Sequence, residues 1–238
     1  MKKAIVVGAT SGIGRGLAKI LAQHDYLVGV TGRRTGLLEE LKGEHPESYV
    51  VKSFDISDTA LIANIMDELT AELGGLDLLV ICAGTGDLNE NLSFSIEEPT
   101  IHTNVLGFTA VADWAFNHFQ GKKSGHLVAI TSIGGLRGSR VSPAYNASKA
   151  YQINYLEGLR QKAWRKKLPV FITDIRPGLV DTNMAKGDGL FWVMPVEKAS
   201  QQIWKAIQRK KRVAYVTRRW HLVALILKTL PKFLFDRM

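Results

Sequence analysis

Cysteine is almost missing from this sequence: Cys82 stands alone among 238 residues. An intrachain disulfide and a cysteine-built metal site are thereby excluded, and a reducing cytoplasm is a compatible setting. Metal-ligand spacing is missing too. His24, His45, His102, His118, His126 and His221 are scattered, so no metal is expected. No apolar run reaches the roughly 18 residues of a membrane-spanning helix. Lys2 and Lys3 precede a short apolar stretch that resembles the start of a signal peptide, but it stops at Gly8 and reads better as a first strand. Linkers, repeats and low-complexity tracts are absent. Acidic residues are scarce in one place only. From Lys205 onward ten Lys or Arg face Asp236 alone, which accounts for the whole formal charge of +9. Before Lys205 bases and acids balance.

What is present is an alternation of short apolar, β-branched runs with longer helical patterns. Strands are expected near 3–7, 27–31, 49–53, 76–82, 125–131, 170–175 and 213–217. Helices are expected near 13–23, 35–43, 58–73, 96–119, 144–167 and 197–209. Parallel neighbours need crossovers, so this order predicts an α/β fold, a Rossmann-type doubly wound parallel sheet of about seven strands. A single domain over 1–217 is followed by a basic amphipathic tail, 218–238. Ligands of such sheets bind at the carboxyl ends of the strands, where strand order reverses.

The first strand runs into Gly8-Ala-Thr10-Ser11-Gly12-Ile13-Gly14, and a helix follows. Glycines there allow a tight turn and let backbone N–H groups approach a pyrophosphate. The second strand ends at Thr31-Gly32-Arg33-Arg34, where an NAD-preferring site places an acid for the ribose 2′-hydroxyl. Two guanidinium groups suit a 2′-phosphate instead, and NADP(H) is the expected cofactor. Asp55, after the third strand, has two readings: an acceptor for the adenine amino group, or a cap for the next helix.

Tyr145 and Lys149 lie four residues apart at the start of a long helical pattern, on one face and one turn apart. A free phenol, with a pKa near 10, is a poor base at neutral pH. An ammonium about 4–5 Å away would lower it by roughly two to three units at an effective dielectric near 20. Ser132, at the end of the fifth strand, can donate to a substrate carbonyl and orient it.

This ordered set resembles the short-chain dehydrogenase/reductase family over nearly the whole chain to about residue 217. The likeness extends to Cys82-Ala83-Gly84, Asn104-Val105-Leu106-Gly107 and Pro177-Gly178-Leu-Val-Asp-Thr182. It implies that Tyr145 is the acid/base and that Ser132 polarises the carbonyl. Lys149 bonds the nicotinamide ribose and lowers the tyrosine pKa, and Asn104 helps hold a water in a proton relay. Ala83, Gly84, Pro177, Gly178 and Thr182 join the cofactor site, with Pro177, Gly178 and Thr182 at the nicotinamide end. Two positions depart from the pattern: Val7 stands where the family has Thr, and Cys82 where it has Asn. A dimer or tetramer is implied, although the tail would block one family interface.

The expected function is NADP(H)-dependent interconversion of a carbonyl and a secondary alcohol, on a small or lipophilic substrate, in the cytoplasm. The alternative is an NADP(H)-binding regulatory or scaffold protein without turnover. The loops near 85–95 and 178–195 would set the substrate. Met184, Leu190, Phe191, Trp192, Val193 and Met194 are expected as an apolar lid. For the tail two readings stand: an interfacial helix on an anionic membrane surface, or a helix packed on the domain or a second subunit. No nucleic-acid partner is expected, because aromatics are not interleaved with the bases.

Overall fold

Strands apolar on both faces need cover on both sides, and the layers supply it. The computed structural model describes residues 1–184 and 191–237. In chain order it contains β1 (Lys2–Val7), α1 (Gly12–Gln23), β2 (Tyr26–Gly32), α2 (Thr35–Glu44), β3 (Tyr49–Ser53), α3 (Thr59–Leu73), β4 (Leu78–Ile81), α4 (Phe94–Ile101), α5 (Phe108–Lys122), β5 (Gly125–Ile130), α6 (Pro143–Arg165), β6 (Val170–Pro177), α7 (Val196–Gln208), β7 (Val213–Val216), α8 (Arg218–Thr229) and α9 (Lys232–Phe235). The seven strands form one parallel sheet in the order β3-β2-β1-β4-β5-β6-β7. This is the doubly wound sheet expected from the alternation.

Alternate residues of each strand enter opposite cores. On one face Ala4, Val6 and Val28 pack with Leu17 and Leu21 of α1, Leu38 of α2 and Ile203 of α7. On the other, Ile5, Val7 and Leu79 pack with Met66 of α3, Phe116 of α5 and Leu156 of α6. Burying a Leu, Ile or Phe side chain contributes about 1.5–3 kcal/mol each. The chain winds outward from β1 to β3, then returns to β4 beside β1. A crevice therefore opens beyond Val7 and Ile81, at the carboxyl ends of these two strands.

One expected element is different. The helix anticipated over 96–119 is three segments: α4, a π-helical turn over His102–Gly107, and α5. Pro99 lies within α4 and has no N–H to donate to the preceding turn. A π turn displaces the helix by an extra residue, and such turns concentrate at functional sites. Here it carries Asn104.

Candidate active site

The cleft at the crevice has a volume of about 800 Å³. Every site residue singled out in the sequence lines it except Asn104, which is wholly buried beneath it. Its floor begins at the glycine turn. Gly8 and Gly12 adopt left-handed φ of 91° and 54°. A Cβ on Gly14 would stand 2.0 Å from the Gly8 carbonyl oxygen, so no side chain fits there. The first turn of α1 has no acidic residue, and its N-cap Ser11 makes no side-chain capping bond. The free N–H groups of that turn thus face the cleft and can receive an anion. Thr182 crosses the same turn from the loop after β6, its methyl 3.0 Å from where a Gly12 Cβ would be.

Beyond the turn, Arg34 donates to Thr10 Oγ1 at 2.5 Å and to Ser11 Oγ at 2.7 Å, which fixes one guanidinium against the glycine loop. Arg33 reaches Asp55 at 3.4 Å with its side chain 69% exposed. A side chain at position 32 would displace Thr10, because a Cβ there would meet the Thr10 methyl at 2.6 Å. Asp55 Oδ1 accepts from Ser57 N at 2.9 Å and Ser57 Oγ at 2.8 Å. That is a turn ahead of α3 rather than a cap on it, because Asp58 is the N-cap residue. These bonds and Arg33 hold the Asp55 carboxyl below its ordinary pKa against the effect of burial.

The reacting end gathers residues from four elements. Ser132 follows β5 and accepts from Gly134 N at 3.0 Å. Its hydroxyl is close enough to Tyr145, near the start of α6, to influence the phenol. Burial raises the Tyr145 phenol above its ordinary pKa, and the nearby Ser132 hydroxyl opposes the rise. The sequence expectation of a lysine-lowered tyrosine is therefore not met. The reason is geometric. Lys149 Nζ turns away to the Ile130 carbonyl and to Gln152 Oε1, each at 3.0 Å, and lies 5.8 Å from the Tyr145 ring centroid. Burial pulls Lys149 down to about 8, offset in part by Cys82 and Asp174.

Asn104 is held by protein partners through both its side chain and its main chain. Its side chain accepts from Thr85 N at 2.9 Å and donates to Thr85 O at 2.7 Å and Ser148 Oγ at 3.0 Å. Its main-chain carbonyl accepts from Gln152 Nε2 at 2.9 Å. The buried Gln152 amide thus stands between Asn104 and Lys149, and sequence reading did not single it out. Val7 and Cys82 cause no loss of main-chain order. The Cys82 and Ala83 N–H groups both donate to the Val7 carbonyl at 2.8 Å, and the Val7 side chain is core.

A second missed group lies behind Ser132. Thr131 Oγ1 donates to Asp174 at 2.6 Å, and Arg176 Nε and Nη2 each meet the same carboxylate at 2.7 Å. Arg176 also donates to the Tyr215 hydroxyl at 3.1 Å, so one buried ion pair ties β5, β6 and β7 together. Charges two apart in an otherwise apolar strand were the available signal.

The apolar wall came from the region read as a tail. Trp220, Val223 and Leu227 of α8 line the cleft with Phe191 and Met184. The Trp220 indole lies on Gly178, where a Cβ would be 2.1 Å from the ring, and Phe191 is 5.4 Å away, centroid to centroid. Arg137 pins the helix end by donating to the Leu227 carbonyl at 2.6 Å and the Leu230 carbonyl at 2.5 Å. Of the expected lid, Met194 instead packs against the core, Trp192 and Val193 are exposed, and Leu190 lies outside the described residues.

Comparison with known proteins agrees with this geometry. The family model for short chain dehydrogenase matches residues 2–189. An uncharacterized oxidoreductase of Myxococcus xanthus is 34% identical over 99% of this chain and 95% of that protein. The human 3-oxoacyl-[acyl-carrier-protein] reductase is 28% identical over 78% of each chain. Serine dehydrogenase from Escherichia coli superposes with a TM-score of 0.77 at 26% identity, covering 90% of this chain and 95% of that one. The chain belongs to the short-chain dehydrogenase family, oxidoreductases whose fold binds a nicotinamide cofactor.

Proposed function

We propose that this chain is an NADP(H)-dependent oxidoreductase that interconverts a carbonyl and a secondary alcohol on a lipophilic substrate. The observation that carries the reading is that Ser132, Tyr145 and Lys149 line one cleft together with Arg33 and Arg34. The glycine turn, the uncapped start of α1 and Gly32 in place of an acid, followed by Arg33 and Arg34, fit a dinucleotide with a 2′-phosphate. When bound, the nicotinamide supplies or accepts the hydride.

The protein's own residues manage the proton. Tyr145 donates its hydroxyl proton to the carbonyl oxygen in reduction and takes it back in oxidation. Ser132 donates a hydrogen bond to the same oxygen, placing it against the phenol and favouring the charge that develops there. Lys149 would hold the nicotinamide ribose and supply a positive charge at that end of the cleft. Asn104 holds the Thr85 backbone over this end of the cleft. Phe191, Trp220, Val223 and Leu227 exclude water and take the apolar part of the substrate.

NADPH consumption with ketones, aldehydes and 3-oxoacyl thioesters, repeated with NADH, tests the proposal. The last class is included because a 3-oxoacyl reductase is among the relatives. Turnover with at least one class and a preference for NADPH is expected. Silence across all classes despite NADPH binding would favour a regulatory protein of the same fold.

A further inference from the structure

The outward face of the C-terminal helices takes no part in the cleft. Trp220 and Ala224 of α8 are 5% and 1% exposed, and Val223 and Leu227 turn to the cleft wall. Leu222, Leu225 and Ile226 on the opposite side remain 67%, 57% and 60% exposed, and Phe233 and Leu234 of α9 add 62% and 43%. Five exposed large apolar side chains on two consecutive helices mark a contact surface. The face is built rather than loose. Arg137 satisfies carbonyls at the end of α8, and its guanidinium lies 5.4 Å from the Phe235 ring, so both helices are fixed with these side chains outward.

We propose that this face docks on the surface of an anionic lipid bilayer. Charge selects that occupant. The segment that carries the apolar face, from Arg218 onward, has five bases, Arg218, Arg219, Lys228, Lys232 and Arg237, against Asp236 alone. Anionic headgroups complement such a segment, and aliphatic side chains enter the acyl boundary beneath them. A second copy of the chain would bring the same bases face to face, a like-charge juxtaposition that costs affinity. Geometry sets the mode. The 12 residues of α8 span about 18 Å, less than the roughly 30 Å hydrocarbon core, so the helix lies in the interface plane. Among the described residues no helix is long and apolar enough to cross a membrane. Because α8 is also the apolar wall of the cleft, docking sets that wall beside the lipid. This inference does not depend on the proposed reaction.

The test uses the full chain sedimented with vesicles of phosphatidylcholine alone or of phosphatidylcholine with phosphatidylglycerol, at low and high salt. The wild-type protein should pellet with the anionic vesicles and be released by salt. The double substitution Leu225→Glu and Ile226→Glu should lower the partition by about tenfold or more, since two exposed apolar contacts are lost. Both side chains are exposed, so an unchanged melting temperature serves as the folding control. No pelleting of the wild type, equal pelleting with neutral vesicles, or full pelleting of the double variant would each overturn the proposal. So would a wild-type dimer in sedimentation velocity that the double variant dissolves while neither protein binds vesicles, because the face would then belong to a second copy.

Discussion

Lys149 donates to the side-chain carbonyl of Gln152 at 3.0 Å, one turn along α6 and wholly out of solvent. Burial pulls the lysine from 10.5 to about 8, and an acceptor on its charged form works against that pull. Gln152→Met keeps the length of the side chain and removes the acceptor, so Lys149 should fall further. If kcat/KM needs the ammonium, its decline with rising pH should begin at lower pH in the variant. A pH profile superimposable on wild type would sink the idea. The sign for stability is also defined. A buried lysine with a lowered pKa is a cost to folding below about pH 8, and the cost fades as pH rises toward 10.5. The penalty of Gln152→Met, measured by denaturant unfolding, should therefore shrink between neutral and alkaline pH.

Tyr145→Phe removes one oxygen and leaves the ring against Gly86, where a Cβ would come within 2.4 Å of it. The fold and the glycine turn should be untouched. Turnover should fall by about 10²–10⁴, the usual contribution of a positioned acid/base. NADPH affinity, followed by fluorescence titration, should hold. A variant that keeps wild-type turnover would remove Tyr145 from the mechanism.

Arg34 is already immobilised by Thr10 and Ser11, so little ordering remains when a phosphate binds. Arg34→Ala should weaken NADPH binding by about 10–150-fold, the equivalent of roughly 1.5–3 kcal/mol for a charge-assisted hydrogen bond. NADH binding should change little. Equal losses for both cofactors would mean that Arg34 supports the loop and does not read the 2′-phosphate.

Asp174 and Arg176 are both buried, and neither is satisfied without the other. Asp174→Asn leaves a buried guanidinium without its counter-charge and should cost about 3–5 kcal/mol in urea unfolding. The double replacement Asp174→Leu with Arg176→Met should regain much of that stability, because no charge is then left unpaired. A double variant no more stable than the single one would show that the pair contributes more than charge balance.

The parts of the site legible in the sequence are those written within a few residues. The glycine turn after β1, Arg33 and Arg34 after β2, Ser132 after β5 and the four-residue step from Tyr145 to Lys149 are local patterns. Each is placed at a strand end by the alternation of elements. All of them line one cleft, with Asn104 beneath it. Gln152 was not legible, since a glutamine three residues after a lysine on a helix is an ordinary surface pattern. Only the packing of α6 against the π turn buries it. Trp220 looked like part of a separate tail, and its contact with Gly178 is 42 residues away along the chain.

By itself the sequence determined the sheet, the order of its crossovers and the residue types at the mouth of the crevice, because apolar periodicity and glycine spacing are local physics. The tertiary structure decided what those side chains touch. Lys149 turns toward Gln152 and Ile130 rather than Tyr145, the tyrosine is desolvated rather than acidified, and α8 folds back as a wall of the cleft. Those outcomes depend on contacts between distant segments and on the loss of water around charged groups, neither of which is encoded in the spacing of a motif.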